Sequence, residues 1–139
     1  MTNRTSQQIA VELYTSLTTV CPSYAERRAS PPAEPRYDMT DYMHVCWDFA
    51  AHAVDMLQAG RHEELAPAFR AMAEFRDQST EYWMREGLAP VFERIWQEGE
   101  WRGVDVRPLE HVIGPTFLPQ WRRIEDPSDG HPYPIDGFY

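Results

Sequence analysis

The stretch DYMHVCWDFAAHAVDMLQAG, residues 41–60, holds the side chains of this sequence that are best suited to chemistry. On an α-helix of about 100° per residue, Asp48, His52 and Asp55 fall within about 80° of His44. Imidazole and carboxylate groups that converge in this way can bind zinc or a similar divalent cation. His44, Asp48 and His52 are therefore a candidate metal site, which would suit a metal-dependent helical enzyme or a metal sensor.

The same polar stripe has two further interpretations. Apolar residues fill an arc of about 160° on the opposite side of the helix, which predicts an amphipathic helix with the stripe in water. Alternatively, the stripe receives basic side chains of another protein, because residues 37–60 contain four aspartates and no arginine. We favour the solvated edge, since the other histidines sit in no matching His-x3-His or His-x2-Glu pair. Cys46 falls in the apolar arc and is predicted to be a core residue.

No motif elsewhere in the chain identifies a reaction. Glu98 and Glu100, on a predicted loop, are only a weak match to the carboxylate pair of a glycosidase. The sequence has no G-x-S-x-G motif and no glycine-rich phosphate loop. All 13 basic residues are arginine, which excludes Schiff-base chemistry on a lysine. We therefore predict a protein without catalytic residues and without a cofactor.

Composition and charge limit the class of partner. The 139 residues fit one domain, and a formal charge of -9 would repel nucleic acid and anionic membranes while attracting a basic protein. The two cysteines have no CxxC spacing, and the first residues, MTNRTSQQIA, lack the features of a signal peptide. No apolar run approaches the length of about 18 to 20 residues that spans a bilayer. These features predict a cytoplasmic protein.

The first half of the chain predicts two helices, a linker and a third helix. Thr5 and Gln8 form a capping-box pattern for a helix over residues 5–20, and a short helix opens at Ser23. Residues 30–37 form a proline-rich linker. A long helix then begins at Asp38 or Thr40, continues to Ala59 and ends at Gly60.

The second half predicts further helices and no strands. A single turn at HEEL precedes a helix that includes Pro67. Ser79 or Thr80 caps the next helix, in which Gly87 and Pro90 are candidate positions for a kink. Shorter helices follow, between Asp105 and Gly114 and around Trp121. The predicted fold is an all-α, single-domain bundle of about five to seven helices arranged as antiparallel hairpins. Residues 1–126 form the helical domain, and residues 127–139 form an extended aromatic and proline-rich tail.

Exposed acids and aromatic anchors are the candidate binding residues. Trp101 is predicted in a loop between two glycines, where an exposed indole beside acids is typical of an interface anchor. The tail HPYPIDGFY offers apolar anchors that bind either its own domain or a partner, and self-association through it would give a homodimer. The predicted partner-binding residues are Asp48, Asp55, Glu63, Glu64, Trp101, Tyr133, Phe138 and Tyr139.

Three segments resemble a family of small bacterial all-helical domains of uncharacterised activity. They are DFAAHAVDMLQAGRHEELAPAFRAMAEF, REGLAPVFERI and GVDVRPLEHVIGP, and the likeness covers about residues 9–124. The chain departs from the family in its proline-rich linker and its aromatic tail. The matching residues are Phe49, His52, Gly60, Glu63, Glu64, Phe69, Gly87, Leu88, Gly114 and Pro115.

The resemblance implies an association with immunity proteins that neutralise polymorphic toxins, and it brings no catalytic residues. Together with the acidic charge, it leads to the expectation of a non-enzymatic helical binding protein, an immunity or inhibitor protein that occludes a basic toxin domain. The alternative is the metal-dependent enzyme or sensor that uses His44, Asp48 and His52.

Overall fold

The chain folds as a helical bundle, seen in a computed structural model that describes residues 4–29, 37–81 and 88–125. The described residues contain no strand, so the predicted all-α fold is confirmed. None of their helices combines the length and the apolar character that crossing a membrane requires. Residues 30–36 of the predicted linker and the predicted tail lie outside the described residues. The helices are α1 Ser6–Val20, α2 Pro22–Ala29, α3 Tyr42–Gln58, α4 Ala66–Gln78, α5 Ala89–Arg102, α6 Glu110–Ile113 and α7 Leu118–Glu125, with 3-10 turns at His62–Leu65 and Arg107–Leu109.

Local capping explains where the first long helices begin. The predicted capping box of α1 is present: the Gln8 amide donates to Thr5 Oγ1 at 3.1 Å, and the Thr5 amide donates to Gln8 Oε1 at 2.7 Å. α3 begins at Tyr42, later than predicted, because Asp41 is its N-cap and accepts from the first-turn amides. Gly60 takes the predicted left-handed conformation with φ of 71°.

Prolines and one glycine determine the course of the remaining long helices. Pro67 lies in the first turn of α4, directly after the 3-10 turn at HEEL, as predicted. Pro90 likewise lies in the first turn of α5, where its missing amide costs no hydrogen bond. The prediction of a loop around Trp101 is wrong, because α5 continues to Arg102 and ends at Gly103, which has φ of 67°. Glu98 and Glu100 are therefore on a helix.

α3 is the central helix of the described bundle. Its most extensive contact is with α5. Two pairs define the direction of the two helices: Arg94 contacts Trp47, and Arg102 contacts Asp55. Since both partners advance by eight residues, α3 and α5 run parallel. α1 packs against α4 in the antiparallel sense, because Arg4 before α1 contacts Ser79 after α4, and Cys21 after α1 contacts the Glu64 carbonyl before α4.

A continuous aromatic core joins these helices. Ring contacts run from Phe49 to Phe69 and on to Phe92, with centroid separations of 5.8 and 5.9 Å. Phe92 then contacts Phe117 at 4.9 Å and Trp121 at 6.4 Å. All five side chains are fully buried or nearly so. The short final helix is thus held against α5 by Trp121 and by Phe117, which directly precedes it.

Gly99 is the residue on which the packing of α5 against the following loop depends. A Cβ at this position would lie 2.5 Å from Val106 Cγ1 and 2.9 Å from the Val104 carbonyl oxygen. We predict that Gly99→Ala lowers the free energy of unfolding by about 2 kcal/mol, although alanine normally stabilises a helix. Urea denaturation followed by circular dichroism measures this change.

Val106→Ala provides the control for this prediction. It removes the closest contact, so the double variant should lose less stability than the sum of the two single variants. Simple additivity, or a stabilising effect of Gly99→Ala, would contradict the steric explanation.

Candidate functional site

Two of the four residues of the polar stripe of α3 are buried, so the prediction of a solvated edge is wrong for Asp48 and His52. Asp48 is 2% exposed and His52 is 4% exposed. The cause is α2, which turns at Pro22 and lies over the stripe. Asp48 is consequently unavailable on the surface of the isolated domain, where the sequence analysis placed it among the partner-binding residues. Cys46 is fully buried as predicted, and burial raises the pKa of its thiol to about 12.

The Asp48 carboxylate is the anchor for α2. The hydroxyl of Tyr24 donates to Asp48 Oδ2 at 2.7 Å. Arg28 Nη1 lies 3.3 Å from the same oxygen, and Arg27 Nε lies 3.5 Å from Oδ1. Burial and the nearby Asp48 charge raise the pKa of Tyr24 well above its usual range, so the hydroxyl remains a donor at physiological pH. A buried carboxylate thus gains one neutral and two cationic partners from a single short helix.

His52 makes a hydrogen bond with the same helix. Its Nε2 atom lies 2.9 Å from Ser23 Oγ. Burial, and secondarily the charge of Arg27, lowers the pKa of His52 to about 4, so the imidazole is neutral at pH 7. The two side chains face a small pocket of about 210 Å³, whose lining includes Arg27 and Arg61.

A serine hydroxyl beside a neutral imidazole is the nucleophile and base pair of many hydrolases. Here both groups are almost enclosed, since Ser23 is 7% exposed and His52 is 4% exposed. Among the described residues, no carboxylate makes a hydrogen bond to His52 that would orient the ring, as a catalytic triad requires. The pair therefore has the features of a satisfied structural contact.

The contacts of His44 differ from those of the other two candidate metal ligands. Its Nδ1 atom accepts a hydrogen bond of 3.0 Å from the Asp38 amide. Asp48 and His52 instead contact different residues of α2. Within residues 4–29, 37–81 and 88–125, no three His, Cys, Asp or Glu side chains come together as a set of metal ligands.

Asp55 belongs to an ion-pair network that joins three helices. It pairs with Arg27 of α2 and with Arg102 of α5, the latter at 2.5 Å. Arg102 also contacts Glu98 at 3.0 Å, and Arg94 lies 3.4 Å from the same carboxylate. Asp55, a predicted partner-binding residue, therefore has its charge balanced inside the domain. The sequence contained a signal for this ion pairing, because Arg27 and Arg28 are adjacent and residues 37–60 are rich in aspartate.

Trp101 is the most exposed large hydrophobic side chain among the described residues, at 61%. Its ring lies 4.8 Å from the guanidinium carbon of Arg94, which also lies 4.9 Å from the Trp47 ring centroid. The series continues through His44, 5.6 Å from Trp47, to Tyr37, a further 5.6 Å away. We call these five residues the surface stack. It fixes the Trp101 indole from one side, although the ring is exposed.

A cleft of about 600 Å³ opens beside Trp101. It is bounded by the last two turns of α5, the loop after α5 and one residue of α7. Glu100 and Asp105 are its exposed acids. The lining residues are Trp96, Gln97, Glu100, Trp101, Val104, Asp105, Val106 and Ile124.

The remaining predicted partner-binding residues do not line this cleft or lie outside the described residues. Glu63 and Glu64 are exposed in the 3-10 turn before α4, and Glu64 pairs with Arg61 at 2.7 Å. Tyr133, Phe138 and Tyr139 lie outside the described residues. The structure therefore does not group the predicted acids into one surface around Trp101.

Glu93 is a buried ionisable residue that the sequence analysis did not identify. It is 0% exposed on α5, and neither carboxylate oxygen has a hydrogen-bond partner. Burial raises its pKa from the ordinary value of 4.5 to about 7. Its position at helical spacing beside Pro90 and Gln97 was the available signal, since it interrupts the buried face of the helix.

Comparison with known proteins gives no relative for this chain: no family model, no curated protein and no solved structure matches it.

Removal of the Asp48 carboxylate should destabilise the domain strongly. Asp48→Ala leaves the buried Tyr24 hydroxyl without its acceptor and two arginines without their shared anion. We predict a loss of about 2–3 kcal/mol in the free energy of unfolding at pH 7. Glu110→Ala, which removes an exposed ion pair with Arg122, should cost less than about 1 kcal/mol. Equal effects of the two substitutions in urea denaturation would contradict the anchoring role of Asp48.

Glu93 should give the stability a distinct pH dependence. Its pKa is higher in the folded state than in the unfolded chain, so its contribution is complete below pH 4.5 and is lost as the pH rises to about 7. We predict that wild type loses about 3 kcal/mol relative to Glu93→Gln across this window. Urea denaturation at pH 4.5, 5.5, 6.5 and 7.5 measures the difference in stability between the two proteins. Both contain His52, so its titration contributes equally to each and cancels in the difference.

The control for this titration is Glu74→Gln, which removes an exposed carboxyl group of α4. Its stability should follow that of wild type at every pH. A constant difference between wild type and Glu93→Gln would show that Glu93 does not titrate in this range.

Proposed function

We propose that the protein is a cytoplasmic, non-enzymatic binding domain that neutralises a basic protein, as an immunity protein neutralises its toxin. The single observation that carries this proposal is the environment of Trp101. Its indole is 61% exposed, supported from one side by Arg94 and adjacent to a cleft of about 600 Å³. Tryptophan, tyrosine and arginine are the residue types most enriched at the energetic centres of protein interfaces.

The support of the Trp101 indole by Arg94 favours binding. A side chain that is already held in place loses less conformational entropy when a partner covers it. The surface stack provides such support from Tyr37 to Trp101, across both α3 and α5. The exposed indole is therefore prepared for contact before any partner arrives.

The charge of the chain favours a basic partner. The formal charge is -9, and an acidic protein captures a basic one at an increased rate through long-range attraction. Much of the charge on α2 and α3 is balanced internally by arginines, whereas Glu100 at the cleft is exposed and makes no ion pair within the described residues. The resemblance to small helical domains associated with toxin immunity agrees with this type of partner.

Co-expression with the product of the adjacent gene tests the proposal. We expect a stable complex on sizing, and protection of the cells if that product is toxic. Trp101→Ala should weaken the complex by about 30-fold, the effect expected for a residue worth about 2 kcal/mol at an interface. Isothermal titration calorimetry measures this change.

Val11→Ala is the matched control, because Val11 is, among the described residues, the other exposed large hydrophobic residue, at 44%, and lies on α1. It should leave affinity and protection unchanged. Absence of both binding and protection with wild-type protein, or equal affinity of the two variants, would contradict the proposal. Circular dichroism and thermal unfolding establish that both variants are folded.

A further inference from the structure

The lining of the cleft beside Trp101 is complementary to a cation. Two indole rings, those of Trp96 and Trp101, form its aromatic walls. Its polar side chains are Gln97, Glu100 and Asp105, and none of the eight lining residues is basic. Aromatic faces attract cations through their negative π-surface, and carboxylates do so through their charge. An anionic ligand would find no compensating charge in this lining.

Glu100 is the polar group of the lining that is free to accept a ligand, whereas the side-chain oxygen of Gln97 is shielded. Gln97 Oε1 is buried and has no hydrogen-bond partner. Glu100 is exposed and has neither a hydrogen bond nor an ion pair within the described part of the chain. Asp105, in contrast, is held by Arg107 through two contacts of 2.9 Å. Glu100 therefore supplies the uncompensated charge of the cleft.

We infer that this cleft binds an arginine side chain of the basic protein partner. A guanidinium group is planar and carries five donors, so it can stack on an indole while it donates to a carboxylate. An ammonium group lacks the planar face needed for stacking. The contact of Arg94 with Trp101 at 4.8 Å already shows this indole beside a guanidinium group. The identification of the partner as a protein rests on the proposed function.

The size of the cleft agrees with this occupant. Its volume of about 600 Å³ falls within the range of about 300–1,000 Å³ that is usual for ligand sites. It can therefore admit an arginine side chain together with part of the backbone that carries it. The exposed position of Trp101 at the rim leaves room for the rest of the partner.

Short blocked peptides test the inference on the whole chain without any partner. The probes are acetyl-Gly-Arg-Gly-amide, the lysine peptide and the citrulline peptide, which has nearly the same shape as arginine but no charge. Indole N–H signals in ¹⁵N nuclear magnetic resonance spectra report binding. We expect the arginine peptide to bind about tenfold more tightly than the citrulline peptide and about threefold more tightly than the lysine peptide.

Matched variants locate the bound peptide. Glu100→Gln should weaken the arginine peptide about fivefold, whereas Glu74→Gln, which removes an exposed carboxylate of α4, should not change its affinity. Arg107→Gln should strengthen binding, because it releases the Asp105 carboxylate for the ligand. Thermal unfolding of each variant confirms that the domain is folded.

The results separate this inference from the proposed function. Equal affinity of the arginine and citrulline peptides, or of wild type and Glu100→Gln, would overturn the inference even if a Trp101-dependent protein complex forms. Selective, Glu100-dependent binding of arginine would support it even if the product of the adjacent gene does not bind.

Discussion

The buried carboxylate of Asp48 is the interaction on which the arrangement of the first three helices depends. A charge removed from water must be compensated by partners close at hand, and α2 supplies Tyr24, Arg27 and Arg28. This helix has only eight residues, of which Ser23 and Tyr24 alone are buried. Tyr24 is its one large buried side chain and packs against Phe49 at 5.3 Å, and the polar contacts of the helix with α3 add to this packing.

The position of α2 has consequences across the domain. Because α2 covers the polar stripe, His52 is desolvated and stays neutral, and Arg27 reaches Asp55. Asp55 also pairs with Arg102 of α5, so a continuous series of ion pairs joins α2, α3 and α5. The same geometry balances the aspartates that would otherwise make α3 an acidic surface. The uncompensated acid near the exposed indole is instead Glu100, at the far end of α5.

Local signals in the sequence were sufficient for several elements. The capping box at Thr5 and Gln8, the left-handed stop at Gly60 and the first-turn position of Pro67 depend on neighbouring residues only, so they could be predicted. The end of α5 was missed because glycine usually favours a break in a helix. In this fold α5 continues through Gly99. A glycine is needed there because any side chain would collide with Val106.

The candidate site could be predicted only in part, because burial is a property of the tertiary fold. A helical wheel shows which residues of α3 share a face, but not that a second helix covers that face. The same limitation applies to Glu93, whose environment depends on contacts distant in sequence. Trp101 was identified by its residue type and its acidic neighbours. Its support by Arg94 could not be inferred, because it requires α5 to remain helical to that point.

The parallel course of α3 and α5 has an electrostatic consequence for the cleft at the end of α5. Each helix carries a macrodipole whose carboxyl-terminal end is equivalent to about half a negative elementary charge. In the usual antiparallel pair the opposite ends lie side by side and their fields largely cancel. Here the carboxyl-terminal ends of two adjacent helices lie together, as the contact of Asp55 with Arg102 shows, so the two helix dipoles add a negative potential to that of Glu100. Part of the attraction for a cation therefore comes from the backbone and persists at a pH where carboxylates are protonated.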